Sequence, residues 1–180
     1  LTAVRQIETS EERYLSIIGA KTAALFAAAT RIAAVVAERP EADERALEDY
    51  GRNLGIAFQL VDDAMDYDSD AGEMGKGKGD DFREGKMTLP VILAYARGSD
   101  EERRFWQDAI TGHRNADSDL AHAVSLIGRH DTVSATRERA RHFAQRAIDA
   151  IAGFPASAAH AAMIEAADAM TKAADVVLVA

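Results

Sequence analysis

Residues 41–67 read EADERALEDYGRNLGIAFQLVDDAMDY, and their periodicity decides the fold. Leu47, Tyr50, Leu54, Phe58, Val61 and Met65 recur three and four residues apart, the spacing of one face of an α-helix. The stretch follows Pro40, and proline interrupts helices, so a helix is expected from near Glu41. The pattern repeats on either side. Upstream, Thr9 and Glu12 have the form of a capping box, and Tyr14, Leu15, Ile18, Leu25, Ala29, Ile32 and Val36 give an apolar stripe running to about Glu38. Downstream, Leu89, Ile92, Leu93 and Ala96 give another, from near Met87 to Gly98, with Pro90 tolerated in the first turn. Shorter helices are expected over 100–111, 117–128, 131–152 and 156–175. Only the closing Val176-Val177-Leu178-Val179 has strand character. The 38 alanines and three prolines among 180 residues agree with long helices. With no fixed-period repeat and no flexible linker, the expectation is a single all-α domain of packed helices over 1–180.

Composition narrows the class. At 48% hydrophobic residues the chain is not disordered. A net charge of -9 argues against nonspecific nucleic-acid binding, which needs clustered Lys and Arg on phosphates. Cysteine is absent, which excludes disulfides and thiolate metal sites and agrees with a cytoplasmic location. No run of eighteen uncharged apolar residues is present, so an ordinary transmembrane helix is not expected, and residues 1–5 do not read as a signal peptide. Leu1 stands where an initiator methionine would, which predicts that the chain continues upstream.

The end of the opening stretch carries chemistry. Asp62 and Asp66, four apart, share a helix face, and Asp63 lies about 100° round from Asp62. Like charges at this spacing repel, and a divalent cation is their natural partner. Mg²⁺ binds hard oxygens and takes one or two carboxylates plus substrate phosphates. The alternative is a solvated acidic face, weakened by the apolar neighbours Phe58, Leu60, Val61 and Met65, among which an unpartnered carboxylate is costly.

Residues 68–86 hold five of the twelve glycines and no apolar period, so they read as a loop. Glycine lets backbone approach a ligand, and Lys76 and Lys86 can donate to phosphate oxygens. From 62 to 86 nine acids face four bases, a balance of -5. Such a segment repels a bare diphosphate but can take one through Mg²⁺; the alternative is a surface loop of mixed charge. An EF-hand beginning at Asp66 fails, with Ala71 at the sixth position and Gly77 at the twelfth. A Walker loop from Gly79 to Lys86 is one residue too long and is followed by Met87. Lys21-Thr22 lies in an alanine-rich helix, where a lysine ordinarily snorkels to water.

Together these segments resemble the trans-type (all-E) polyprenyl diphosphate synthases. Phe58-Gln59 followed by Asp62-Asp63-x-x-Asp66 resembles that family's second aspartate-rich motif. Gly75-Lys76 through Gly79, Asp81, Glu84-Gly85-Lys86 and Thr88-Leu89-Pro90 resembles its downstream glycine- and lysine-rich signature. Thr9 to Leu15 with Lys21-Thr22 and Leu25-Phe26 resembles the helix bearing its Lys-Thr pair. The resemblance covers residues 1–97 and is closest to long-chain members that make the octaprenyl to decaprenyl tails of ubiquinone.

The resemblance implies an isoprenoid-synthase-type helical bundle, of which this chain is the C-terminal part. It implies a Mg²⁺-dependent condensation of isopentenyl diphosphate with an allylic diphosphate. Asp62 would be the foremost Mg²⁺ ligand, with Asp63 and Asp66 completing the cluster directly or through water. Lys21, Lys76 and Lys86 would hold the allylic diphosphate, and Thr22 and Gln59 would face the reacting carbons. A homodimer in the cytoplasm, with peripheral membrane association of its product, is the corresponding expectation. The family's first aspartate-rich motif and upstream basic site do not occur in this sequence, so the chain alone is expected to be inactive; a non-catalytic partner subunit of a heteromeric synthase is the alternative. Gly77 and Lys78 replace the family's more usual residues. A terpene cyclase or head-to-head synthase is disfavoured by the loop signature. The five histidines (113, 122, 130, 142 and 160) read as surface or core polar residues, and Trp106 as a packing residue.

Overall fold

A computed structural model describes residues 4–68, 79–112 and 116–175. Among these, the elements are α1 (Glu11–Ile18), a π-helical turn (Gly19–Ala23), α2 (Ala24–Val36), α3 (Glu41–Met65), α4 (Asp80–Arg83), α5 (Leu89–Arg97), α6 (Asp100–Thr111), α7 (Asp117–Arg129), α8 (Thr132–Ile151) and α9 (Ala158–Asp175). The all-α expectation is met: no strand occurs among the described residues, and the only β pairing is an isolated bridge between Val4 and Lys86. The strand-like run 176–179 lies outside them.

The chain divides into two compact units, one of residues 1–17 and 62–136, the other of residues 18–61 and 137–180. The boundaries fall within helical segments, α3 and α8 among them, which is why no linker composition marks them.

In the first unit the opening helix is capped one residue later than expected. Thr9 Oγ1 donates to the Gln6 carbonyl at 2.6 Å. Ser10 Oγ accepts the Arg13 N–H at 3.1 Å instead, with Glu11 and Glu12 suiting the positive end of the helix. α5 starts with Pro90 in its first turn, as expected. Leu89, Pro90, Val91, Ile92, Leu93 and Ala94 are all buried, as in a helix enclosed on every side. α6 and α7 pack on α5 and on each other. α6 opens with a capping box that the sequence reading passed over: Ser99 Oγ accepts the Glu102 N–H at 3.3 Å, and Glu102 returns by accepting the Ser99 N–H at 2.8 Å. Trp106 is fully buried and meets the Phe82 and Phe105 rings edge-on, confirming its packing role.

In the second unit α2 lies close against α3. An added Cβ at Gly51 would stand 2.4 Å from the Phe26 carbonyl oxygen, and one at Gly55 would stand 2.7 Å from Ala23 Cα. These two glycines, four apart, let the backbones approach. Thr30 Oγ1 fills the seam by donating to the Leu47 carbonyl at 2.6 Å. On the other side of α3, Tyr50 packs with Ala147, Ile151 and Ala167, and its hydroxyl donates to the Met163 carbonyl at 2.8 Å.

Two expectations for residues 11–38 are corrected. The helix is not continuous α: the Ala24 N–H reaches back five residues to the Gly19 carbonyl, which makes a π turn. In addition, the run Glu11–Val36 is long and apolar enough, by length and composition, to cross a membrane. Its alanines keep the average hydropathy high although Arg13, Lys21 and Arg31 divide it into short uncharged runs. Leu25, Ile32, Val35 and Val36 are exposed on it.

Candidate active site

The acidic turn at the end of α3 lies in the first unit. Its three carboxylates have different surroundings. Asp62 is partly exposed. Asp63 is 3% exposed and accepts a hydrogen bond from the Tyr14 hydroxyl, also buried, at 2.5 Å. Asp66 accepts from two backbone amides, Asp80 N–H at 3.2 Å and Asp81 N–H at 3.1 Å. Gly79 makes this last contact possible. Its φ of +75°, a left-handed value that glycine adopts without steric cost, turns the chain into α4, while its own N–H donates to the Asp66 carbonyl at 3.0 Å.

Electrostatics follow from this crowding. Burial and the nearby Asp81 charge push Asp66 up to about 6, against the two amide donors that favour its ionised form. Burial, and then the charge of Asp63, hold the Tyr14 hydroxyl well above its ordinary value, so it stays a donor. Lys86 supplies the counter-charge. Its ammonium lies 2.9 Å from Asp81 Oδ1 and 2.7 Å from Glu84 Oε2. Burial pulls it down, but the bonds to Glu84 and Asp81 prevail and hold it above its ordinary value. Gly85, at φ +70°, accepts the Arg5 N–H at 2.8 Å, beside the bridge from Val4 to Lys86.

The other sequence-predicted residues lie in the second unit or outside the described residues. Thr22 and Gln59 are brought together: Thr22 Oγ1 donates to Gln59 Oε1 at 3.0 Å. Lys21 is exposed on the π turn, a distortion frequent at functional positions. Lys76, with Gly75, Gly77 and Lys78, falls outside the described residues. Tyr14 was read as one member of an apolar stripe, and Asp81 as part of a motif with no role of its own. Neither partnership has a signal in local sequence, since Tyr14 and Asp63 are 49 residues apart.

Asp62, Asp63 and Asp66 do not form a ready-made ion cage. Among the described residues no three carboxylate or imidazole side chains are placed to hold a metal by themselves. The reason is visible in the partners: Asp63 is turned to Tyr14, and Asp66 to the amides of α4. The donor set nevertheless suits Mg²⁺, which takes few carboxylates and completes its shell with water and phosphate oxygens.

The chain matches the Polyprenyl synthetase family over residues 2–127. It is 42% identical over 166 residues to an octaprenyl diphosphate synthase of Haemophilus influenzae, covering 91% of this chain and 50% of that one. A decaprenyl diphosphate synthase structure from Rhodobacter capsulatus matches with a TM-score of 0.88 at 42% identity, covering 94% of this chain and 52% of that one. A polyprenyl synthase from Caulobacter crescentus, solved with calcium and isoprenyl diphosphate, matches with a TM-score of 0.87 at 45% identity, over 94% and 52% of the two chains. The chain thus spans about half the length of the relatives it matches.

Proposed function

Because the chain belongs to the polyprenyl synthetase family, we propose that it carries the second aspartate-rich half-site of a Mg²⁺-dependent prenyltransferase. That enzyme condenses isopentenyl diphosphate with an allylic diphosphate to a long-chain polyprenyl diphosphate. The fold agrees: it is the all-α fold of the isoprenyl synthases that this chain resembles. The observation that carries the reading is the acidic turn itself, with the Lys86 ammonium held at Asp81 in the same unit. Carboxylate oxygens for a divalent cation and an ammonium for phosphate oxygens are the two donor types that a metal-bound diphosphate requires. The calcium and isoprenyl diphosphate of the Caulobacter relative support a divalent cation and a prenyl diphosphate as ligands. The octaprenyl and decaprenyl relatives support a long product.

In this reading Asp62 is the foremost ligand to Mg²⁺, with Asp63 and Asp66 contributing directly or through water. Bound there, the ion neutralises charge developing on the departing diphosphate. Lys86 donates to diphosphate oxygens, exchanging its bonds to Asp81 and Glu84 for them. Lys21 and Lys76 bind the same group. Thr22 and Gln59, fixed by their mutual hydrogen bond, orient the hydrocarbon next to the bond that breaks. A homodimer follows from the same family reading.

The test is Mg²⁺-dependent binding of inorganic pyrophosphate, followed calorimetrically. Asp62→Ala is expected to abolish it. Unchanged binding in that variant refutes the site.

A further inference from the structure

One side chain at the acidic turn has no part in the function proposed above. Tyr14 sits on α1, 3% exposed, and places its hydroxyl 2.5 Å from Asp63 Oδ2, itself 3% exposed. A tyrosine whose hydroxyl reaches a carboxylate inside a protein makes a charge-assisted hydrogen bond, shorter and stronger than a neutral one. The partners come from separate helices, so the bond ties the last turn of α3 to α1.

That tie has a geometric consequence. Asp62 and Asp63 are adjacent on a helix, about 100° apart in direction. While Asp63 points inward to Tyr14, Asp62 is held toward the partly exposed side. A hydrated Mg²⁺ keeps several of its waters and is met more readily by the exposed carboxylate than by one withdrawn from solvent. The two adjacent aspartates therefore have unlike tasks. We propose that Tyr14 is a positioning residue: by holding Asp63 as a buried anchor, it fixes the turn on which Asp62 is presented to a metal-bound diphosphate. This rests on the half-site reading above and goes beyond it by taking Asp63 out of direct coordination. Partners behind a ligand commonly matter about 10–100-fold in metal affinity, which sets the size of the effect.

The experiment is a calorimetric titration of the chain with magnesium pyrophosphate, well below its melting temperature. Tyr14→Phe keeps the buried ring and removes only the hydroxyl; Asp63→Asn keeps the acceptor and the volume and removes the charge. Tyr14→Phe is expected to weaken binding about tenfold or more. The double variant is expected to bind no more weakly than Asp63→Asn, because Tyr14 acts through Asp63. A tyrosine that merely stabilises the fold would lower the melting temperature and leave the affinity of the folded protein unchanged, and that result overturns the proposal. If Tyr14→Phe does not fold, Asp63→Asn decides alone. An anchor weakens binding when neutralised, whereas a direct ligand abolishes it as Asp62→Ala does, and abolition refutes the anchor. If the unmodified chain does not bind magnesium pyrophosphate, the half-site reading itself falls, and the role of Tyr14 with it.

Discussion

Gly51→Ala tests the close approach of α2 and α3, and intrinsic propensity gives it the opposite sign from packing. In an isolated helix, replacing glycine by alanine stabilises by about 1 kcal/mol. Here the new Cβ would stand 2.4 Å from the Phe26 carbonyl oxygen, 2.7 Å from its carbon and 2.2 Å from Thr30 Oγ1. Ordinary contact begins at 3.4 Å, so relief from the carbonyl oxygen alone requires a movement of 1.0 Å, the difference of 3.4 and 2.4. Thr30 can rotate away, but only by giving up its 2.6 Å bond to the Leu47 carbonyl, which contributes about 1 kcal/mol. The Phe26 carbonyl is helix backbone and moves only with α2. Overpacking of this kind costs about 1–3 kcal/mol. Adding the lost hydrogen bond and subtracting the propensity gain leaves a net destabilisation of about 1–3 kcal/mol. For a chain of this size that lowers the melting midpoint by roughly 2–12 °C. The assay is thermal unfolding followed by circular dichroism at the helical band. In a Thr30→Ala background, the cost of Gly51→Ala should lose the part due to the hydroxyl and keep the part due to the carbonyl. A midpoint for Gly51→Ala at or above that of the unmodified chain refutes the reasoning.

Two further outcomes follow from the first unit. The Ser99 N–H, and then His130 with Arg129, hold the Glu102 carboxyl down to about 2 from an ordinary 4.5. A depressed carboxylate stabilises the fold above its unfolded value and loses that contribution as pH falls through its folded value. The melting-point gap between the unmodified chain and Glu102→Gln should therefore be full above about pH 5 and close toward pH 2; a gap independent of pH over that range refutes the assignment. Gly79→Ala forces a side chain into the left-handed region, at about 1–2 kcal/mol, and drives its Cβ to 2.2 Å from Leu120 Cδ1. It should lower the denaturation midpoint, with no change a contrary result.

The helices were legible because burial follows period. Leu47, Tyr50 and Leu54, read as one stripe of α3, do lie in one cluster. The ends of elements were less so. Thr9 and Ser10 are both good caps, and it is Ser10 that accepts the Arg13 N–H while the Thr9 hydroxyl turns to Gln6. Gly51 and Gly55 carry no hydrophobic signal, yet they set the distance between two helices. In the candidate site, the residue types and spacing of Asp62, Asp63 and Asp66 were plain, but their different hydrogen-bond partners were not. Which carboxylate faces inward depends on Tyr14, and which binds amides depends on the chain's return at Gly79. Both are tertiary facts, absent from any window of sequence.

The π turn leaves its own trace in the order of residues. Along the first helical run the buried positions include Tyr14, Ile18, Ala23, Ala27 and Ala34, advancing by four, five, four and seven. The step of five falls where the hydrogen bonds widen, so the turn acts as a one-residue phase slip in an otherwise regular count. A homologue lacking it should align with a single-residue gap between Ile18 and Ala23. In such a homologue the count from the Lys21-Thr22 pair onward would run one residue shorter. Deleting one residue from Gly19–Ala23 is thus not a local trim: it removes the slip from the count by which buried positions recur.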